Sequence, residues 1–245
     1  MTDLPDAAAL FAAMDATWPP RATRPCGPIT LRDGAGGGKR VSAATCASGQ
    51  ASAAEVEAAA QAMRAAGEAP LFGLRGDQAA FDERLESMGY AIIDPVVVYA
   101  ISAPALAQFA PGGMAAIFAD APLGIQEEIW AQGGIGPARL AVMARAAAPK
   151  THILARHNDR PAGVAFVGIH GDIAMLHALE VLPAMRRKGI GAAASTSAAK
   201  WAAAQGARIF SLVTTVENTA ANALYARLGM AVCARYHYRI LKEPS

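Results

Sequence analysis

Met185-Arg186-Arg187-Lys188-Gly189-Ile190-Gly191 is the stretch whose reading decides the fold. Before it, Ala174 to Val181 is an apolar run of buried-strand length, ended by Pro183. After it, Ala192 to Gln205 is an Ala-rich run of helical length, ended by Gly206. Two glycines one residue apart let the main chain turn tightly and approach a ligand closely. The first N–H groups of a helix have no partner within it, and the helix dipole favours an anion there. Arg186, Arg187 and Lys188 add three positive charges at the same place. The turn from Arg186 to Ala192, with Gly189, Ile190 and Gly191 inside it, is therefore a candidate diphosphate cradle.

Two common phosphate loops do not fit. The dinucleotide fingerprint needs a third glycine where Ala194 stands, and Ser211 to Thr215 offers no acidic residue for a ribose. The nearest approach to a P-loop is Gly34 to Arg40, but Asp33 replaces its first glycine and Arg40 its Ser/Thr. Gly34 to Gly38 reads instead as a flexible hairpin loop. What does fit is R-x-x-G-x-G, as Arg186, Gly189 and Gly191 directly after a strand. Downstream, an apolar strand from Ile209 to Val216 runs into Asn218-Thr219-Ala220-Ala221-Asn222-Ala223-Leu224-Tyr225-Ala226-Arg227-Leu228-Gly229-Met230. Both motifs, in this order, resemble those of the GCN5-related N-acetyltransferases, the GNAT superfamily, whose second signature is N-x-x-A-x-x-L-Y-x-x-L-G-F. Met230 stands in place of the usual Phe. A last strand is expected over Ala231 to Ile240.

The N-terminal half is similar to a worn copy of the C-terminal half. Gln78 to Tyr90 lines up with the segment ending Leu224 to Met230, and each is a helix stopped by glycine that runs into a strand. Each follows a helix and a strand, Ala53–Ala66 then Leu71–Leu74 in one case and Ala192–Gln205 then Ile209–Val213 in the other. The copy lacks the chemistry. Between an expected strand over Lys39–Thr45 and its first helix stands Cys46-Ala47-Ser48-Gly49-Gln50-Ala51-Ser52, with no arginine, and Leu85 replaces Tyr225. Ser52 and Glu55 form a capping box, so that helix start is satisfied by its own side chains. The resemblance thus implies an α/β fold with a mixed sheet, a splayed central pair of strands and flanking helices, in tandem. Residues 1–105 would be a degenerate GNAT-like domain and 106–245 the catalytic one.

The remaining segments read coarsely. Asp6 to Thr17 is an expected helix with Leu10, Phe11, Met14 and Trp18 on one side, stopped by Pro19-Pro20. Ile29–Arg32 and Lys39–Thr45 are expected to pair as a hairpin, and Val96–Ile101 to be a strand. A linker carries Pro104, Pro111, Gly112 and Gly113. Ile125–Gln132 and Ala138–Ala147 are helices broken at Gly133 to Pro137; the resemblance makes this region part of the acceptor wall. Thr151–His157 and Val164–His170 are strands joined at Asn158 to Pro161, and Gly171-Asp172 turns into the strand that feeds the cradle.

Bulk properties narrow the class. The chain has 245 residues and net charge +2, so charge alone implies neither a nucleic-acid nor a membrane partner. No apolar run approaches ~18 residues, so no transmembrane helix is expected. The opening Met1-Thr2-Asp3-Leu4-Pro5-Asp6 is acidic where a signal peptide is basic. Cys26, Cys46 and Cys233 are odd in number and in no metal spacing, and His152, His157, His170 and His237 form none either. The expectation is a cytoplasmic enzyme with free thiols, no metal, and acetyl-CoA as co-substrate.

Acyl transfer to an amine needs a route for the amine's proton, donors for a developing oxyanion and an acid for the departing thiolate. In the resembling family, the donor is main chain on the strand before the cradle, at positions held here by Leu179 and Val181. Tyr225 is the candidate acid, protonated near neutrality with an ordinary pKa of ~10, or else a core tyrosine. His177 is the candidate base; strand alternation would put it on one face with Leu179 and Val181 and turn Glu180 away. Leu176 to Val181 resembles the arylalkylamine branch of the family, whose second histidine would fall at Met175. A packed polar residue is the competing reading for His177. Asn218 either binds the pantetheine or caps its helix.

The function expected is transfer of an acetyl group to a small-molecule or peptide amine by direct attack in a ternary complex, as a monomer or homodimer. The alternative is a CoA-binding regulatory module without turnover. Glu127 and Glu128 are the visible carboxylates for a cationic acceptor, or a solvated helix face. A nucleotide- or RNA-binding reading lacks interleaved aromatics and a basic stripe.

Overall fold

The computed structural model describes residues 4–109 and 114–241. Pro111, Gly112 and Gly113 of the expected linker, and Met1-Thr2-Asp3 of the acidic opening, lie outside the described residues. The chain forms two compact units. One holds the chain up to Pro19, Val98–Thr214 and Asn218–Cys233; the other holds Pro20–Val97, Thr215–Glu217 and the chain from Ala234 on.

The first unit opens with α1 (Ala7–Thr17), capped by the Asp6 carboxylate, which accepts from the Ala9 N–H at 2.8 Å. Its apolar stripe, Leu10, Phe11 and Met14, is buried. The C-terminal part of β5 (Tyr90–Ser102) follows, then α5 (Ala103–Ala107) and β6 (Met114–Ala119). Pro104, expected in a linker, lies in the first turn of α5, where its missing N–H costs nothing. Next come α6 (Gly124–Gln132), α7 (Pro137–Arg145), β7 (Lys150–His157), β8 (Arg160–His170) and β9 (Ile173–Val181). A short 3-10 turn, Pro183–Met185, leads to α8 (Ile190–Ala204), β10 (Ile209–Thr215) and α9 (Thr219–Arg227).

Strand order in this unit is β5-β10-β9-β8-β7-β6. The neighbours from β6 to β9 are antiparallel, and β9 runs parallel to β10. The β7–β8 turn is only Asn158-Asp159, both with positive φ, the two-residue hairpin that matches strand twist. Alanines line the buried side of α8, so that helix packs closely on β7, β8 and β9. Ser195 and Thr196 are also buried there and donate to the carbonyls of Gly191 and Ala192, each at 2.9 Å. Helices α1 and α6 pack on β8 and β9.

The second unit contains β1 (Ala22–Cys26), β2 (Ile29–Asp33), α2 (Lys39–Ser42), β3 (Thr45–Cys46), α3 (Ala53–Ala65), β4 (Leu71–Arg75), α4 (Ala79–Ser87), the N-terminal part of β5 and most of β11 (Ala231–Leu241). Its strands run β1-β2-β3 and β4-β11-β5. The expected antiparallel pairing of Ile29–Arg32 with Lys39–Thr45 forms only at its end, where Thr30 lies opposite Thr45 and Ile29 opposite Cys46. β2 also pairs with β1, with Cys26 opposite Ile29 across a two-residue turn, and Lys39–Ser42 is helical. The Ser52–Glu55 capping box is present, with the carboxylate of Glu55 accepting from the Ser52 N–H at 2.7 Å. The core gathers Ile29, Val56, Phe72, Phe81, Leu85 and Tyr90. Beside it, Arg239 is nearly fully buried and donates to Asp82 at 2.6 Å and to the Tyr90 carbonyl at 2.8 Å.

Candidate active site

The glycine turn lies directly before the first turn of α8. Gly189 caps α8 with φ 79°, a left-handed conformation open to glycine, and Arg187 also has positive φ, 64°. The first helical bond of α8 runs from the Ala193 N–H to the Gly189 carbonyl, so the preceding N–H groups face out of the helix start. Such a turn before a helix N-terminus is an anion-binding concavity. A Cβ on Gly191 would lie 3.0 Å from a Leu224 methyl and 4.0 Å from a Leu179 methyl. The end of β9, the start of α8 and α9 therefore meet closely at this glycine.

Arg186 does not extend toward that concavity. Its Nε donates to the Val181 carbonyl at 3.2 Å and a terminal nitrogen pairs with the Glu180 carboxylate at 3.2 Å. Arg187 and Lys188 are exposed on the turn.

The parallel pairing of β10 with β9 ends at Leu212 opposite Leu176. Residues 177–181 of β9 thus continue without a β10 partner, which is the splay the resemblance implies. Against β8, Val164 faces Glu180 and Phe166 faces His177, so two steps on β8 match three on β9. Ala178, with φ 49°, is the extra residue of a β-bulge. A bulge reverses side-chain parity beyond it. The expected common face of His177, Leu179 and Val181 is therefore corrected. Leu179 and Val181 pack with Ile190 and Ala194 on the α8 side. His177 and Glu180 share the opposite side with α1 and α6, and Glu180 is not turned away.

His177 is 3% exposed and stacks on Trp18, ring centroids 4.9 Å apart. Its Nε2 lies 2.8 Å from the Thr17 hydroxyl, which gives its own proton to the Ala13 carbonyl at 2.7 Å. A hydroxyl has one proton, so His177 donates from Nε2 and Thr17 accepts. His152 sits in the same aromatic cluster, and burial pushes its pKa down.

Glu180 occupies a different setting. Its side chain is 21% exposed and lies over the last turn of α6, where a Cβ on Gly133 would come within 2.6 Å of it. On the same helix, Trp130 donates its indole N–H to the Ala178 carbonyl at 2.8 Å, gripping the bulge. Glu127 and Glu128 are exposed on α6.

Tyr225 is 5% exposed on α9, and burial pushes its phenol well above the ordinary value. Its ring lies against Tyr99, whose hydroxyl donates to Asn222 at 2.9 Å. Asn218 caps α9, its side-chain oxygen accepting from the Ala221 N–H at 3.1 Å. Met175, where a second histidine would stand, is fully buried. Among the described residues no cluster of three or more His, Cys, Asp or Glu could hold a metal, and no helix is long and apolar enough to cross a membrane.

The contacts of Thr17, Trp130, Gly133 and Glu180 escaped sequence reading. All four depend on the bulge or on distant contacts, and neither glycine nor proline at 178 announces the bulge.

A mixed sheet that splays beside a glycine-bounded helix start is the architecture that the GNAT resemblance implies. The family model described as the acetyltransferase (GNAT) family matches residues 123–230, and this part of the chain belongs to that family. No curated protein matches the chain by sequence. Among solved structures, a GCN5-related N-acetyltransferase from Kribbella flavida is 21% identical, with TM-score 0.75 over 99% of this chain and 98% of its own. A conserved protein of unknown function from Staphylococcus epidermidis is 12% identical, with TM-score 0.68 over 94% and 97%. A tandem GNAT protein from the clavulanic acid biosynthesis pathway is 14% identical, with TM-score 0.58 over 95% and 87%. At such identities the likeness is one of fold, and that fold is the tandem GNAT fold.

Proposed function

We propose that this chain is an acetyl-CoA-dependent N-acetyltransferase acting on a primary amine in a ternary complex. The observation that carries the reading is the conjunction at Gly189: a left-handed turn opens α8 just where β9 has parted from β10. The residues fit the thioester. Main-chain N–H groups of Gly189, Ile190, Gly191 and Ala192 would hold its diphosphate, with Arg187 and Lys188 adding positive field. Main chain at Leu179 and Val181 would pair with the pantetheine arm, and Asn218 supports that wall by fixing the start of α9. Arg186 contributes by closing the turn against β9. Acetyl-CoA supplies the activated acetyl group when bound.

Tyr225 keeps its phenolic proton through burial and would deliver it to the departing sulfur. We assign the proton-accepting role to Glu180 in preference to His177. A histidine that already donates Nε2–H to Thr17 under a Trp18 lid is built for packing, whereas Glu180 is partly open. Residues 1–105 are the degenerate repeat and 106–245 the catalytic one; repeats follow sequence ancestry, while compact units follow packing. The enzyme is placed in the cytoplasm, in keeping with three unbridged cysteines, and acts as a monomer or homodimer on a small-molecule or peptide amine.

The test is thiol release from acetyl-CoA over tyramine, spermidine, lysine and glucosamine, with binding followed by calorimetry. Binding and amine-dependent release are expected, and Tyr225→Phe should lower kcat by about 10²-fold while leaving the acetyl-CoA Kd in place. Binding without release for any amine would mean a regulatory module instead.

A further inference from the structure

Two glycines end α6, and only one is required by its backbone. Gly134 has φ 77° and nothing near the position of a Cβ. Gly133 has φ −83°, a conformation open to any residue. What a side chain at 133 would meet is Glu180: its Cγ and Cδ at 2.6 Å and Oε2 at 2.7 Å. The glycine at 133 thus makes room for one carboxylate.

The same carboxylate is held from the other side by Arg186 at 3.2 Å. One turn earlier on α6, Trp130 binds the carbonyl of Ala178, the bulge residue that turns Glu180 to this face. Three contacts from two segments, α6 and the turn before α8, converge on the direction of a single side chain.

We propose that Gly133, Trp130 and Arg186 are positioning residues that aim the Glu180 carboxylate at the acceptor amine. The inference rests on the acetyltransferase reading above and adds which residues set the geometry of amine recognition. Arg186 then links the turn that would hold the diphosphate to the carboxylate that would meet the amine. The acceptor class follows: an amine that arrives as an ammonium and pairs with Glu180.

Gly133→Ala is the clean variant, since alanine suits this backbone and its methyl displaces only the end of a flexible side chain. With the best amine of the panel, it should raise KM for the amine or lower kcat/KM by about 10-fold or more, since small misplacements at a reacting centre are costly. The acetyl-CoA Kd and the melting temperature should stay at wild-type values. In a Glu180→Ala background the same substitution should have no further effect, because the side chain it displaces is gone. Trp130→Phe, which keeps the ring and removes the donor, should act in the same direction. Wild-type kinetics for Gly133→Ala, or an undiminished effect without Glu180, would overturn the positioning role while acetyl-CoA binding and turnover still stood. Absence of turnover in the wild type would remove the reading beneath it.

Discussion

Replacing Thr17 by valine separates a packed histidine from a catalytic one. Valine has nearly the shape of threonine but no hydroxyl, so no cavity opens. Thr17 is 2% exposed and His177 3%, so no solvent reaches the site to replace the lost acceptor. The Nε2–H of His177 then loses its partner, and an unsatisfied buried donor costs about 1–3 kcal/mol. At the midpoint of about 2 kcal/mol, a chain of this size should melt about 4–8 °C lower. The assay is paired: thermal unfolding, and thiol release per folded molecule well below the melting point. Turnover should remain within about 3-fold of wild type, because the hydrogen bond holds α1 to β9 and moves no proton in the reaction. His177→Phe should behave alike, and Thr17→Val should cost less in that background than alone, the mark of a direct pair. If Thr17→Val leaves the melting temperature unchanged, the buried hydrogen bond is not as described. If His177→Phe keeps its fold but loses the ~10²–10⁴-fold expected of a missing base, the assignment to Glu180 is refuted.

Two further outcomes follow from other parts of the molecule. Gly191→Asp places a side chain against Leu224 and a negative charge at the start of α8, so the acetyl-CoA Kd measured by calorimetry should rise at least about 100-fold. In the second unit, burial pushes the Asp82 carboxyl up, but hydrogen bonds from Arg239 and His237 outweigh it and hold the pKa below the usual range. A lowered folded value means the stabilisation is complete above the ordinary carboxylate pKa and is lost as pH falls through the folded value. Asp82→Asn should therefore lower stability by about 3 kcal/mol near neutrality, leaving Arg239 buried with a weaker partner, and should flatten the acid limb of melting temperature against pH.

Local signals carried most of the legible structure. The turn at 186–191, the Asp6 cap and the Ser52–Glu55 box each lie within a few residues of the chain, and short-range chemistry decides them. The pairing of β2 was legible only in part: Lys39–Ser42 is helical, which leaves β3 two residues long, and the upstream partner β1 is a polar, exposed run with no apolar alternation to mark it. β6 escaped notice because its exposed Ile117 and Phe118 follow no simple alternation. At the candidate site, the glycine turn and helix start were legible and the orientation of β9 was not. One left-handed alanine at 178 moves Glu180 to the side of α1 and α6 and separates His177 from Leu179. Nothing in the alternation of Leu176-His177-Ala178-Leu179-Glu180-Val181 marks that residue, since alanine is neutral to either course.

The central claim is most directly tested by a crystal structure of the protein with acetyl-CoA bound. The account predicts diphosphate oxygens within about 3 Å of the main-chain nitrogens of Gly189 to Ala192, with the pantetheine arm lying along residues 179–181. Phosphates seated anywhere else, or that turn closed by the protein's own side chains, would contradict it.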